Sequence, residues 1–160
     1  MYNYILLGEL FMINKWNKMQ LISTHICKTR DVGNHGNLFG GVMLAWLDEA
    51  GAALAAEFAE TGKIVTKHIS ALDFQRAVRP GQLIKIYGNI LSLGKSSLKI
   101  EIEARRHSVY NGTQKTVCKC TMVFVRIDGD GEPVPIAPHI HAKMKDTEVK
   151  EQDVEKVTFS

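Results

Sequence analysis

Residues 39–59 read FGGVMLAWLDEAGAALAAEFA. Apolar residues recur at Phe39, Met43, Trp46, Leu47, Ala50, Leu54 and Phe58, the 3.6-residue spacing of an α-helix. The other positions are nearly all apolar or small, which marks a buried helix rather than one lying on a surface. Downstream, Ile64 to Val78, Gln82 to Leu93, Ser96 to Val109 and Lys115 to Ile127 read as strands. They are separated by Arg79-Pro80-Gly81, Gly94-Lys95 and Asn111-Gly112, residues that favour turns. Upstream, a short apolar and polar stretch from Leu21 to Lys28 runs into the turn chemistry of Asp31, Gly33, Asn34 and Gly36.

In the third of these strands Leu98, Ile100, Ile102 and Ala104 fall on one face and Lys99, Glu101, Glu103 and Arg105 on the other. That alternation belongs to an antiparallel sheet packed on one side and wetted on the other. One long helix, four long strands and a short strand before them bury their apolar surface if the sheet curls around the helix. The expected fold class is therefore α+β, a single domain with a long central helix wrapped by a curved antiparallel sheet. Such a sheet leaves an edge and an apolar face unsatisfied in a monomer, so at least a dimer is expected.

The chain has 160 residues, 45% of them hydrophobic, enough for one domain with a core and too short for two. The pattern divides it into an N-terminal extension at 1–20, the main domain at 21–137 and a polar, partly helical tail at 138–160. A net charge of +3 with 23% charged residues and no block of like charges argues against a nucleic-acid surface. The mild positive bias suits an anionic ligand. Met1 to Met12 is apolar, but Glu9 interrupts it and no basic residue precedes it, so neither a secretory signal nor a membrane span is expected. With Met12 and Met19 following, a packed extension and a start assigned too early both fit. Cys27, Cys118 and Cys120 make no C-x-x-C pair and read as buried reduced thiols of a cytoplasmic protein.

Asp48 stands out on the helix. At 100° per residue it lies on a face made otherwise of Gly41, Leu44, Ala45, Gly51, Ala52 and Ala55, while Glu49, Glu57 and Glu60 fall in another sector with Trp46. A carboxylate on a small-residue face has room beside it for a ligand, and burial raises its pKa unless a donor offsets the desolvation. It is a candidate general base; a carboxylate satisfied by neighbouring backbone or a dimer partner has the same spacing. Gly40-Gly41 lies where the helix begins, where free N–H groups and the positive dipole end suit an oxyanion, although diglycines are also ordinary turn residues. Gly94-Lys95-Ser96-Ser97 offers a turn, a cation and two hydroxyls to a phosphate or an amide, or serves as a plain hairpin. His68, Arg76, Arg79 and His107 are scattered. No metal site is expected: His139-x-His141 lacks companion ligands, and the run Asp128 to Glu132 lacks the acidic twelfth residue of a calcium loop, which is His139.

The run Gly36-Asn37-Leu38-Phe39-Gly40-Gly41, followed by Trp46-Leu47-Asp48-Glu49-Ala50-Gly51, resembles the signature of hotdog-fold acyl-CoA thioesterases, the cytosolic and YciA-like group. The similarity continues through Val65-Thr66, Asp73-Phe74-Gln75-Arg76, Val78-Arg79-Pro80-Gly81, Ser96-Ser97-Leu98 and Asp128 to Pro133. The resemblance implies a hotdog domain, an acyl-CoA substrate, active sites shared across a dimer interface, often a trimer of dimers making a hexamer, and no metal or organic cofactor. It places the catalytic acid at Asp48, the glycine turn at Gly40 and Gly41, and the coenzyme A contacts at Lys67, His68 and Ile69 and at Ser96, Ser97 and Leu98. Many members carry an asparagine six residues before the aromatic position; here that residue is Gly33, with Asn34 beside it, so Asn34 or a dimer-partner group takes the role.

The reaction this implies is hydrolysis of a fatty acyl-CoA. Gly40 and Gly41 amides polarise the carbonyl, Asp48 of the partner subunit activates water or attacks directly, and Asn34 orients the water. Two rivals stand beside it: an acyl-CoA-binding sensor without turnover, and a hotdog hydratase of enoyl thioesters, whose usual His/Asp pair has no match at these positions.

Overall fold

Helix α1 (Gly40–Ala59) is the centre of the molecule. The computed structural model describes residue 16 and residues 18–145. Around α1 run β1 (Gln20–Ile26), β2 (Ile64–Phe74), β3 (Leu83–Leu93), β4 (Ser97–His107) and β5 (Gln114–Arg126). They form one sheet in the order β1-β3-β4-β5-β2, and every pairing is antiparallel. All five strands touch α1. The fold is a single hotdog domain, α+β, with a curved five-stranded sheet around one long helix.

The alternation in β4 is realised in full. Leu98, Ile100, Ile102 and Ala104 are completely buried against α1, joined from β5 by Cys118, Cys120, Met122 and Phe124. On the outer face, Glu103 accepts hydrogen bonds from Thr116 Oγ1 at 2.6 Å and Arg105 at 3.0 Å. Those donors hold its carboxyl below the ordinary range, Arg105 most of all.

The helix meets the sheet through Met43, Leu47, Ala50, Leu54 and Phe58, each large side chain of that row stabilising by about 1.5–3 kcal/mol. The all-round burial suggested by its composition holds on one side only. Gly41, Ala45, Glu49, Ala53 and Glu57 form an exposed row at four-residue spacing, so this row faces outward from the subunit. The helix ends at Glu60 in the left-handed conformation, φ 54°, its N–H donating to the Ala56 carbonyl.

β2 is an edge strand and stops at Phe74, short of the expected Val78. A register shift between Ser70 and Asp73, with Ala71 at φ 54°, already bends it. Beyond Phe74 the backbone bonds switch to single contacts, Gln75 N–H to Val117 O and Leu38 N–H to Val78 O.

Residues 138–145 are helical and contribute more than a polar tail: Ile140 is fully buried and Met144 nearly so. They close the end of the core at which the Trp16 ring meets Phe58 edge-on, 5.0 Å between centroids. Of the expected N-terminal extension at 1–20, residues 1–15 and 17 lie outside the described residues, as does the tail from 146 to 160, whereas Trp16 belongs to the core.

Gly51 sets how closely α1 approaches the sheet. A Cβ there would lie 2.9 Å from Met122 Sδ, 3.0 Å from Phe124 Cζ and 3.2 Å from Ile100 Cδ1. Gly51→Val is expected to destabilise the fold by about 1–3 kcal/mol through overpacking, read as a lowered thermal midpoint; an unchanged midpoint would show that the helix can move away at no cost.

Candidate active site

Asp48 lies on α1 at the boundary between the row packed on the sheet, Gly51 and Ala55, and the exposed row, Gly41 and Ala45. It is half-buried. Thr66 Oγ1 on β2 donates a 2.6 Å hydrogen bond to Asp48 Oδ1, fixing one carboxylate oxygen and leaving the lone pairs of the other for a water. Sequence inspection included Thr66 in a matching pair but gave it no role, because only the packing of β2 on α1 brings it to the carboxylate.

The first turn of α1 has no side-chain cap. Val42 and Met43 both donate to the Phe39 carbonyl, at 3.0 and 3.2 Å, while Phe39 N–H reaches the Asp31 carbonyl at 2.9 Å. The Gly40 and Gly41 amides thus stand outside the intrahelical ladder, as the first N–H groups of any helix do. The diglycine is not bare. A Cβ on Gly41 would lie 2.6 Å from Phe39 Cε1, and one on Gly40 3.4 Å from Phe74 Cζ, so two aromatic rings occupy the space the missing side chains leave. Both rings are more than half exposed. A cleft of about 380 Å³ opens here, lined by Leu38, Gly40, Met43, Phe74, Arg76 and Val78 among others.

Asn34 sits at the exposed tip of the loop before α1, which is closed by the Val32–Leu38 bridge and by Gly33 N–H to Asn37 O at 2.8 Å. Among the described residues no hydrogen bond joins Asn34 to Gly41 or to Asp48.

The two segments that the resemblance matches to coenzyme A contacts come together at the other end of the sheet. Val65 and Ser97 both pair with Val125, so they lie two strand spacings apart, about 10 Å. Lys67 and His68 are exposed and Ile69 is half-buried, next to a register shift between Thr66 and His68. Ser97 O accepts from Gly94 N–H at 2.8 Å and Ser96 O from Arg126 N–H at 2.8 Å, which shapes the turn. Leu98 is fully buried, and only its backbone faces the turn.

Along α1, eight residues separate Gly40 from Asp48, a rise of about 12 Å. Gly40 and Asp48 of one subunit therefore stand at separate places along the same helix.

The three cysteines among the described residues are buried and held as thiols. Burial pushes the Cys118 thiol up to about 12 and Cys120 up to about 11; Cys27 is also raised by burial. Among the described residues no group of three or more His, Cys, Asp or Glu is arranged to hold a metal ion. His139 is engaged by Glu60 at 2.9 Å, and Asp128 Oδ1 accepts from the Asp130 and Glu132 amides, closing a polar turn on itself. No helix among the described residues is long and apolar enough to cross a membrane.

Comparison with known proteins agrees with this architecture. The thioesterase superfamily matches residues 35–112. An acyl-CoA thioester hydrolase of Haemophilus influenzae, itself uncharacterized, is 30% identical over 118 residues, 72% of this chain and 76% of that protein. The acyl-CoA thioester hydrolase YciA of Salmonella typhimurium is 28% identical over 120 residues, 73% of this chain and 90% of its own. Among solved structures, a hexameric hotdog-fold thioesterase of Campylobacter jejuni superposes with a TM-score of 0.69 at 25% identity, covering 77% of this chain and 94% of the other. A hexameric broad-specificity acyl-coenzyme A thioesterase, solved as an aspartate-to-alanine mutant, gives 0.75 at 24% identity over 85% and 99% of the two chains and shares the fold. Fold and site together define a hotdog protein of the thioesterase superfamily. Within it, this chain belongs to the acyl-CoA thioester hydrolase family.

The thiols carry a testable consequence. A thiol-reactive dye at pH 8 is expected to leave Cys118 and Cys120 unlabelled in the folded protein and to label them once it is denatured. Because their folded pKa values lie above the ordinary 9.0, their contribution to stability is complete below pH 9 and is lost as pH rises towards 11–12. Fast labelling of the native protein at pH 8 would contradict this.

Proposed function

We propose that this protein hydrolyses fatty acyl-CoA to a fatty acid and coenzyme A, at sites built between two copies of the chain. The observation that carries the reading is Asp48, half-buried on a small-residue face of α1 and oriented by Thr66, in a chain of the acyl-CoA thioester hydrolase family. The thioester carbonyl lies at the Gly40 and Gly41 amides. Asp48 of the partner subunit removes a proton from water as the water attacks the carbonyl carbon. The tetrahedral oxyanion takes the amide hydrogen bonds, and its collapse expels the coenzyme A thiolate. Asn34, on the loop before α1, orients the water, and Lys67, His68, Ile69, Ser96, Ser97 and the Leu98 backbone contact coenzyme A. A sensor would need the same binding surface but has no use for an oriented carboxylate.

The subunit geometry supports one mode of pairing. Thr66 holds Asp48, and Phe74 lies over Gly40; both belong to the edge strand β2, and Ser70 is midway between them. If two β2 strands pair antiparallel about a two-fold axis near Ser70, Thr66 of each faces Phe74 of the other. Each Asp48 then arrives at the other subunit's Gly40. The relatives solved as hexamers fit a further association of three such dimers. The main domain at 21–137 carries this site, and the three buried thiols suit a cytoplasmic setting.

Asp48→Asn is expected to lower thiol release from acyl-CoAs by about 10²–10⁴-fold with the melting temperature retained, and Thr66→Val to lower it less. Gly41→Val, whose Cβ displaces Phe39, should also be inactive. Mixing unfolded Asp48→Asn and Gly41→Val chains and refolding them together should restore turnover, because a mixed dimer holds one complete site. No restoration would remove the shared site, and near-normal turnover by Asp48→Asn would remove the mechanism.

A further inference from the structure

The outer face of the sheet carries a row of charges that runs to the edge at β2. Glu103 of β4 and Lys119 of β5 are direct cross-strand partners, and so are Lys119 and Asp73 of β2. Lys119 also forms an ion pair with Glu101. Across β4, β5 and β2 the signs therefore alternate, acid, base, acid. The row stops at Asp73 because β2 is the last strand of the sheet. Asp73 is exposed, and it belongs to the outer face because the next residue, Phe74, lies inward over Gly40. The same strand holds a cation that the subunit leaves unused. Lys67 is exposed and sits in the bulge between Thr66 and His68, with no partner on β5. Among the described residues, neither Lys67 nor Asp73 enters an ion pair or a side-chain hydrogen bond of its own subunit.

Lys67 and Asp73 stand at equal intervals before and after Ser70. Within one chain they are about 20 Å apart along the strand and cannot meet. In two β2 strands paired antiparallel about a two-fold axis near Ser70, each Lys67 is directly opposite the partner's Asp73. Side chains so placed come within about 4.5–5.5 Å of each other at Cβ. Two such contacts form, one on each side of the axis. Neighbouring registers lose both. A slip of two residues sets Lys67 against Ala71 or Gln75 and Asp73 against Val65 or Ile69. A slip of one sets Lys67 against Leu72 or Phe74, which belong to the inner face.

We propose that Lys67 forms an ion pair with Asp73 of the partner subunit on each side of the two-fold axis, and that these two pairs set the β2 register in which Asp48 meets the partner's Gly40. Each sheet's row of charges then ends on the other sheet, with the partner's Lys67 continuing the alternation beyond Asp73. Their role rests on the β2-to-β2 pairing stated above. A slip of two residues moves Asp48 by about 6.6 Å along the opposing strand, too far for one water to touch both base and carbonyl. Register therefore decides whether the site is complete. Coenzyme A meets Lys67 through its backbone, the ammonium being held by the partner's Asp73. Exposed ion pairs add little affinity singly; these act by leaving charges unpaired or opposed in every competing register.

Charge reversal tests this. Lys67→Glu and Asp73→Lys are made singly and together in the full chain, and each is checked for native circular dichroism. Dissociation of the oligomer to monomer is followed by sedimentation over a dilution series at low salt, with thiol release from an acyl-CoA measured alongside. Each single variant turns both attractive contacts into repulsive ones, and Kd for dissociation is expected to rise roughly tenfold or more, with thiol release falling as the oligomer is lost. The double variant pairs opposite charges again, and so does a mixture of the two single variants refolded together. Both should recover most of the loss, short of all of it because Asp73→Lys also meets its own subunit's Lys119. Wild-type Kd in the single variants would overturn the proposal, and so would a loss that neither the double variant nor the mixture recovers. Reduced thiol release at unchanged Kd would overturn it as well and give the Lys67 side chain to coenzyme A. Absence of thiol release in the wild type, with the Kd shifts and their recovery as expected, would defeat hydrolysis and leave the ion pairs standing.

Discussion

Close contact between α1 and the inner face of the sheet governs the rest of the molecule. Gly51 permits it, because Met122, Phe124 and Ile100 already fill the volume a side chain would need. Once Leu47, Leu54 and Phe58 are seated against β4 and β5, the rotation of the helix about its axis is fixed. That rotation carries Asp48 to the margin of the packed face, within reach of Thr66, and turns Gly41, Ala45 and Glu49 outward. The position of the candidate base follows from hydrophobic packing several residues away.

The same packing keeps Gly40 and Asp48 about 12 Å apart along one rigid helix. Rigidity is useful for holding each group and useless for bringing them together. The edge strand β2 passes both places, Thr66 beside Asp48 and Phe74 beside Gly40, and its bend at Ala71, a non-glycine residue in the left-handed region, falls between them. Such a conformation costs on the order of 1–3 kcal/mol and persists only where its surroundings impose it.

Much of this was readable in the chain because it depends on local periodicity. The alternation of Leu98, Ile100, Ile102 and Ala104 gave the buried face of β4, and the spacing from Phe39 to Phe58 gave α1 to within one residue. The glycines at 40 and 41 and the acid at 48 could be placed on that helix before any fold was known. What periodicity cannot carry is contact between strands. Thr66 reaches Asp48 only through sheet packing. Asp73 meets Lys119 only through register, so charges that look scattered in sequence line up across one face of the sheet. Leu98 sits within a segment matched to coenzyme A contacts, yet its parity along β4 turns its side chain inward. The end of β2 was overestimated because Gln75 to Val78 remains extended after it has left the ladder, and extension is all that composition reports. Ile140 and Met144 lie in a stretch polar on average, where two buried side chains in eight residues are easily outvoted.

The interval from Phe39 to Asp48 behaves as an angular setting as well as a length. One residue inserted between Gly41 and Asp48 would turn everything before it by about 100° relative to everything after. With Gly51, Leu54 and Phe58 still anchored on the sheet, Asp48 would keep its place and the helix start would swing away from Phe74, disconnecting the amides from the cleft. An insertion in the surface connection between β4 and β5 changes no such angle. Tolerance to length change in this molecule is therefore set by whether a segment lies on the rotor or on the housing, and variation in chain length should collect in the hairpins and spare the first two turns of α1.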